Sequence, residues 1–351
     1  MTRSCLALLF TLLLAAPAHA ADRKLERAAD AVVRAGSPGA LALSRDRGDT
    51  VAVASGRAAL DPPRRVRATD RFRAGSVSKS FVATVVLQLA SERRLSLDDP
   101  VAEHLPGLVP GGEAITLRRL LNHTSGLAEY GSQPEILRSF EDPAFVWRPR
   151  ALAELAATLP PDAPPGTRWG YANTNYVLLG LTVEAVTGKP LARVLRDRIF
   201  RALRLRGTSF ETKAPIVGRH LHGHLTVEGE PVDAEASSPS YTWAAGGIVS
   251  TAGDLATFYR ALLGGRLLDR AALKAMRTVD PLSPGYGLGL LRVKTACGPA
   301  WGHDGQILGT ATLAVSSRDG RRQAVVAMNR MGGGDALSRR QAELLEAAYC
   351  R

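Results

Sequence analysis

The sequence predicts a mixed α/β chain of the α+β kind: an antiparallel sheet flanked by N- and C-terminal helices, with a mainly helical subdomain inserted between its halves. Two observations carry that reading. β-prone runs cluster near the two ends of the chain, each beside a helical stretch, whereas residues 97–243 alternate helical patches with Pro/Gly loops. Strands at both ends let the termini complete one sheet.

In chain order, residues 22–35 read as a helix, and runs 40–43 and 50–54 form a hairpin about the turn Asp46-Arg47-Gly48-Asp49. A Pro62-Pro63 turn leads through Arg71-Phe72-Arg73 to an apolar helix running from Ser76 to about Arg94. Within the insertion, 117–121, 151–158 and 176–186 read as helices, and Tyr171-Ala172-Asn173 falls on a loop. After Gly246-Gly247 comes a capped helix over 255–263, then strands at 287–293, 310–316 and 323–328, and a last helix over 337–349. The expected division is 1–20 as a signal peptide, 21–96 with 244–351 as the sheet subdomain, and 97–243 as the helical one.

The signal reading rests on Arg3, the short apolar core from Leu6 to Ala16, and the small-residue site Ala18-His19-Ala20. That core is too short to span a bilayer, so no stable membrane insertion is expected after cleavage. A secreted or periplasmic location follows. Cleavage leaves 331 of 351 residues (351 minus 20) and lowers the net charge of +12 by one. Arginine carries the excess, since the chain has only six lysines. No basic run is interleaved with aromatics, so no nucleic-acid partner is expected; anionic wall polymers suit the charge better.

Export also decides the cysteines. Without Cys5 the pair Cys297 and Cys350 remains, an even number in an oxidising compartment, and a disulfide tying a late strand to the last helix is expected.

The chemistry begins at Ser76-Val77-Ser78-Lys79, where a hydroxyl and an amine stand three residues apart at the start of an apolar helix. They share one face, and burial lowers an amine's pKa enough to make it a base. Such a tetrad is common by chance. Its company is Tyr171-Ala172-Asn173 and Trp301-Gly302-His303-Asp304-Gly305, the latter ahead of a predicted strand, in the order used by active-site-serine, penicillin-interacting enzymes.

At these motifs the chain resembles the β-lactamase-like serine hydrolases, which hold class C β-lactamases, D-Ala-D-Ala carboxypeptidases, esterases and D-aminopeptidases. It is most similar to the soluble secreted carboxypeptidases, through 70–76, His123-Thr124-Ser125-Gly126-Leu127, 171–176, 285–290 and the cysteine pair. The resemblance implies a β-lactamase/transpeptidase-like fold with the active site between the subdomains. It implies Ser76 as nucleophile, Lys79 as proton acceptor, and Tyr171, its pKa depressed by nearby cations, as proton shuttle to the departing amine. Whether Lys79 or Tyr171 is the acylation base is open. Asn173 holds the acyl part of the substrate, the N–H groups of Ser76 and Gln306 form the oxyanion hole, and Gly305 lets the strand approach the substrate. His303 takes the place of a lysine in class C relatives, beside Tyr171. No cofactor or metal is implied.

Two other motifs compete. Lys294-Thr295-Ala296 approaches the Lys-Thr-Gly of relatives but lacks the glycine and comes too early. His220, His222 and His224 alternate as metal ligands on a strand do, yet a histidine-rich hairpin accounts for them. His123 is read as a brace for the loop after Leu120-Leu121.

The pattern breaks at the carboxylate pocket. In the carboxypeptidases, hydroxyl residues follow the histidine and an arginine follows the Tyr-Gly-Leu-Gly-Leu run; in this chain the positions hold Asp304, Gln306 and Leu291, with Arg292 one step late. An ionised Asp304 about 5 Å from a substrate carboxylate costs roughly 3 kcal/mol at a dielectric near 20, about a hundredfold in affinity. Either Asp304 pairs with an arginine, or a bulge turns Arg292 to the cleft. The expected activity is that of a D-Ala-D-Ala carboxypeptidase on peptidoglycan-type peptides, monomeric and acylated by β-lactams. The alternatives are a β-lactamase, an esterase, a D-aminopeptidase whose substrate amine meets Asp304, and a non-catalytic sensor of wall peptides or β-lactams.

Overall fold

The structure, a computed structural model, describes residues 16–351. The signal reading over 1–20 lies outside the described residues up to Ala15, and helix α1 (Ala16–Arg34) begins where they do. Strands β1 (Gly39–Asp46), β2 (Asp49–Leu60) and β3 (Pro63–Arg65) follow it; strands β4 (Leu291–Thr295), β5 (Gly298–Ile307), β6 (Thr310–Ser316) and β7 (Arg322–Met328) come late. Together they form one seven-stranded sheet in the order β3-β2-β1-β7-β6-β5-β4. β1 pairs with β7 antiparallel, Leu41 opposite Ala327, so the two ends of the chain do complete one sheet.

Both faces of that sheet are covered, which is why its central strands read as nearly continuous apolar runs. Ala40, Ala42 and Val326 pack on one side against Leu25 and Val32 of α1 and against Leu344 and Leu345 of helix α5 (Gly334–Tyr349). Their neighbours Leu41, Leu43, Val325 and Ala327 point the other way, as strand alternation requires, into a larger core. That core contains helix α2 (Ser78–Ser91), helix α3 (Asn173–Thr187) and helix α4 (Ala252–Leu263). α2 is enclosed all round, buried at every residue from Ser78 to Leu87, and its Phe81 ring stacks on Phe258 of α4 at 3.6 Å. α4 starts where Thr251 caps it, its hydroxyl accepting from the Asp254 N–H at 3.1 Å.

Between α2 and α4 the chain carries helices at Leu117–Leu121, Pro149–Ala157 and α3, and a small hairpin at His224–Val227 and Glu230–Asp233. Two local readings change and a third is extended. Asn173 opens α3 instead of lying on a loop. The strand expected over 287–293 begins only at Leu291, because Gly287-Leu288-Gly289-Leu290 turns tightly: Gly287 N donates to Leu290 O at 2.8 Å, and a Cβ on Gly287 would stand 2.3 Å from Met276 O. His303 to Gly305 precede β6 as expected, and they also belong to a strand of their own, β5. The expected disulfide is present, joining Cys297 in the β4–β5 turn to Cys350 at the end of α5.

Candidate active site

Ser76 sits on a 3-10 turn, Gly75–Val77, that runs straight into α2. Gly75 has φ +53°, and a Cβ there would stand 2.7 Å from Gln306 N of β5; only glycine suits both demands. Gly305 works from the other side, since a Cβ on it would stand 2.0 Å from Ala74 O and 3.0 Å from Ser76 N. Gly305, which also lines the cleft, therefore packs closely on the backbone before Ser76. It brings the backbone N–H groups of Ser76 and Gln306 to one place.

Lys79 is wholly buried, and its Nζ faces three acceptors: Ser76 Oγ at 2.9 Å, Asn173 Oδ1 at 2.8 Å and Ala245 O at 3.0 Å. Burial lowers its pKa to about 7, against the upward pull of the Glu129 and Asp304 charges. A neutral amine then gives its two N–H groups to Asn173 and Ala245 and turns its lone pair to the Ser76 hydroxyl.

Tyr171 differs from expectation. Its pKa is raised well above the ordinary tyrosine value, first by burial; hydrogen bonding with Ser76 opposes the rise, and the Asp304 charge adds to it. Lys79 Nζ stands over the ring face at 4.8 Å from its centre. Tyr171 keeps 37% of its surface open, whereas Tyr286 beside it is enclosed.

Asn173 is held by an acid that the motifs do not point to. Glu129 accepts from the Asn173 backbone N–H and from Gly131 N at 2.5 Å, and lies 3.4 Å from Asn173 Nδ2. A lone glutamate two residues after Ser125-Gly126-Leu127 carries no signal of its own. His123 braces the loop of Tyr171, where the expected loop was the one after Leu120-Leu121: its Nδ1 accepts from Ala172 N at 3.3 Å and faces Asn175 Nδ2 at 2.9 Å.

His303 is fully buried behind the cleft. Its Nε2 lies 2.8 Å from the Tyr286 hydroxyl and its Nδ1 2.6 Å from Asp304 O, so its partner is Tyr286, while its ring centre stays 6.4 Å from that of Tyr171. Asp304 pairs with His303 at 3.2 Å and not with an arginine, and its side chain is 51% exposed. Arg292 is not turned to the cleft. Leu291 lines the cleft, and Arg292 points to an outer groove with Lys294 and Pro299, as period-two alternation dictates. Lys294-Thr295-Ala296 thus lies outside. The three histidines have separate polar partners, although the His220 and His222 rings stack at 4.8 Å: His220 lies 3.0 Å from Glu235, His222 2.9 Å from Asp233, and His224 3.1 Å from Asn329 O.

The cleft left between these groups measures about 420 Å³ and is lined by Ser76, Trp169, Tyr171, Asn173, Tyr286, Leu291 and Asp304, with Gly305 and Gln306 at the floor. No arginine lines it among the described residues. A hydroxyl with a buried amine at 2.9 Å, on an antiparallel sheet packed round a central helix, defines a serine hydrolase of the β-lactamase/transpeptidase fold.

The profile of the Beta-lactamase family matches residues 22–348, and the chain belongs to that family. It is similar to penicillin-binding protein 4 of Amycolatopsis lactamdurans, 32% identical over 67% of this chain and 65% of that one. It spans about half, 52%, of the putative penicillin-binding protein PbpX of Bacillus subtilis, at 30% identity. Among solved structures, a D-stereospecific amidohydrolase from Streptomyces sp. superposes with a TM-score of 0.84 at 38% identity, covering 94% of this chain and 98% of that one. The D-amino acid amidase of Ochrobactrum anthropi, with L-phenylalanine amide bound, superposes at 0.83 and 26% identity, covering 93% and 98%.

Proposed function

We propose that the protein is an exported amidohydrolase that forms an acyl-enzyme at Ser76 and prefers acyl groups bearing a free amine, D-amino acid amides foremost. One observation carries this reading: the cleft presents the Asp304 carboxylate and no arginine among the described residues. A substrate ammonium is drawn there and a terminal carboxylate repelled. Because Asp304 is half exposed, solvent screening reduces the effect from roughly 3 kcal/mol to about 1 kcal/mol, or about tenfold. The D-configuration is suggested by the Streptomyces and Ochrobactrum proteins.

In this reading neutral Lys79 takes the Ser76 proton as Oγ attacks the amide carbonyl carbon. The N–H groups of Ser76 and Gln306 hold the oxyanion. Lys79 returns the proton through the Tyr171 hydroxyl to the leaving nitrogen, the C–N bond breaks, and water hydrolyses the ester on Ser76. Asn173 keeps Lys79 aimed.

A carboxypeptidase, acylated by β-lactams, is the second reading, favoured by the likeness to penicillin-binding proteins. D-phenylalanine amide, its N-acetyl derivative and a peptide ending in D-Ala-D-Ala separate the two. The amidohydrolase reading expects the free-amine amide to be cut at least about tenfold faster than its acetylated form, with the gap closing in Asp304→Asn. Faster release of D-alanine from the peptide, lost in Ser76→Ala, would install the carboxypeptidase instead. Binding of a β-lactam without turnover of any of these substrates would favour the sensor.

A further inference from the structure

Far from the cleft, five arginines converge on one cavity of about 610 Å³: Arg45 and Arg47 from the end of β1, Arg260 and Arg266 from the end of α4 and the loop after it, and Arg321 from the turn before β7. Asp319 is the one carboxylate in its lining. It pairs with Arg321 at 3.6 Å; Arg45, Arg47, Arg260 and Arg266 have no ion pair among the described residues. Just outside the cavity the protein behaves differently, for Arg322 is matched by Asp46 at 3.1 Å.

A guanidinium cannot shed its proton to relieve crowding. Arg45 feels this most: burial and the neighbouring Arg260 both push its pKa down. Its Nη1 is fixed on Thr257 Oγ1 at 3.2 Å and its Nε on Thr50 Oγ1 at 3.3 Å, so the fork is oriented before any ligand arrives. Gly264 and Gly320 line the same cavity and let the end of α4 pack closely on the turn before β7, since a Cβ on either would stand 2.7 Å from Arg260 O. The fork geometry of arginine matches phosphate oxygens two at a time.

We propose that this cavity is a binding site for a multiply charged phosphate anion, in which the Arg45, Arg47, Arg260, Arg266 and Arg321 guanidiniums hold neighbouring phosphate groups. A single phosphate neutralises at most two of the charges, so a chain of phosphates, or phosphodiesters presented side by side, fits the five better. The site is separate from the catalytic cleft. β6 reaches the cavity end of the sheet at Ser316, four residues beyond Thr312, which pairs with Gly305 of the cleft, a distance of about 13 Å along the strand.

The probe is sodium tripolyphosphate, titrated calorimetrically into the mature protein. Saturable binding near one equivalent is expected, with Arg260→Gln/Arg266→Gln weakening it at least tenfold. The control Arg34→Gln/Arg339→Gln removes the same charge from α1 and α5 and should change it less than twofold. Both arginines changed in the test pair are exposed, and the unliganded variant should melt no lower than the parent, because a repulsion has been removed. Equal weakening in the two double variants would show mere attraction to a basic surface and overturn the proposal, as would absence of saturable binding by the parent. Flotation with phosphatidylglycerol vesicles then identifies the source: capture that tripolyphosphate competes away, and that the test variant loses, points to a lipid headgroup. Tripolyphosphate binding without vesicle capture points to a soluble or polymeric phosphate.

Discussion

The imidazole of His123 lies against the Tyr171 ring, 4.3 Å between centres and tilted by 31°, and His123 holds the chain on both sides of that tyrosine. Its backbone oxygen accepts from Gly170 N at 2.9 Å and its Nδ1 from Ala172 N at 3.3 Å. His123 does this from φ +62°, a left-handed conformation that a non-glycine residue adopts only when its surroundings enforce it. The three links fix Tyr171 in position and orientation.

His123→Phe keeps the ring and the backbone oxygen but deletes the acceptor for Ala172 N. The expected result is a fall in kcat of about ten- to a hundredfold with KM little changed, because the proton shuttle is misplaced while substrate contacts stay. A buried N–H left unpaired also costs about 1–3 kcal/mol, read as a lower Tm. Amide hydrolysis measured at saturating substrate checks the first effect; a thermal melt checks the second. Unchanged kcat with lowered Tm would make His123 a brace and nothing more.

Lys79 sets the pH profile. With its pKa lowered to about 7, the neutral base accumulates above that pH, so kcat/KM should rise through about 7. Tyr171, raised above the ordinary value, stays protonated through neutral and mildly alkaline pH, so with the N-acetyl amide, which has no amine to titrate, no alkaline fall from Tyr171 is expected there. Stability moves in the same direction. An unfolded lysine keeps its proton up to about 10.5 while the folded one has released it, so the unfolded state binds more protons between about 7 and 10.5 and the native state gains with rising pH. Lys79→Met lacks this dependence. The difference in unfolding free energy between parent and variant should shift in the parent's favour across that window, and denaturant melts at pH 6 and 9 measure it.

Tyr171→Phe separates the leaving group from the attack. An amide nitrogen needs a proton to depart, whereas a nitrophenyl ester does not. Amide hydrolysis should fall about a hundredfold or more while ester hydrolysis falls far less. Equal losses would make Tyr171, and not Lys79, the base that assists attack on the carbonyl.

The Cys297–Cys350 bond closes a loop spanning 53 positions. Replacing both residues by serine should destabilise the protein by about 4 kcal/mol in the chain-entropy account, with activity at 25 °C retained because neither residue lines the cleft. Denaturant titration of the two proteins side by side tests this.

How much of this can be read in the chain differs by element. β6 and β7 are legible because 310–316 and 323–328 are apolar and β-branched, and α2 because an enclosed helix is apolar on every face. β5 is not, since Gly298-Pro299-Ala300-Trp301-Gly302-His303 has turn composition; its glycines are there because Gly302 and Gly305 lie against neighbouring backbone, where a Cβ would meet Ala314 O at 1.9 Å and Ala74 O at 2.0 Å. Ser76 and Lys79 can be paired from spacing alone. Glu129 and Tyr286 cannot be placed that way, because Glu129 acts by holding Asn173 from 44 positions away and Tyr286 reaches the cleft from a loop distant in sequence. The depressed pKa expected of Tyr171 fails for a related reason: burial, set by segments far apart in sequence, raises it, and Lys79, its own pKa lowered to about 7, stands over the ring face.

Gly75 and Gly305 give the last prediction, since both stand where the nucleophile turn meets β5. Alanine at 305 places its Cβ 2.0 Å from Ala74 O, which is backbone and has no rotamer by which to yield. Alanine at 75 meets Gln306 N at 2.7 Å and must also hold φ +53°. Overpacking of this kind costs about 1–3 kcal/mol, and the strained φ at 75 adds about 1 kcal/mol. Relief requires the turn and the strand to separate, which moves the Ser76 and Gln306 N–H groups apart. Both variants should therefore lose activity about a hundredfold or more, the loss of one oxyanion donor, while remaining folded at 25 °C. Gly302→Ala supplies the comparison, for its Cβ would strike Ala314 O at 1.9 Å, away from the cleft lining. It should match Gly305→Ala in lost stability and keep far more of the activity. If the two lost activity alike, the role of Gly305 would be general sheet packing, and the approach of β5 to Ser76 would carry no catalytic meaning.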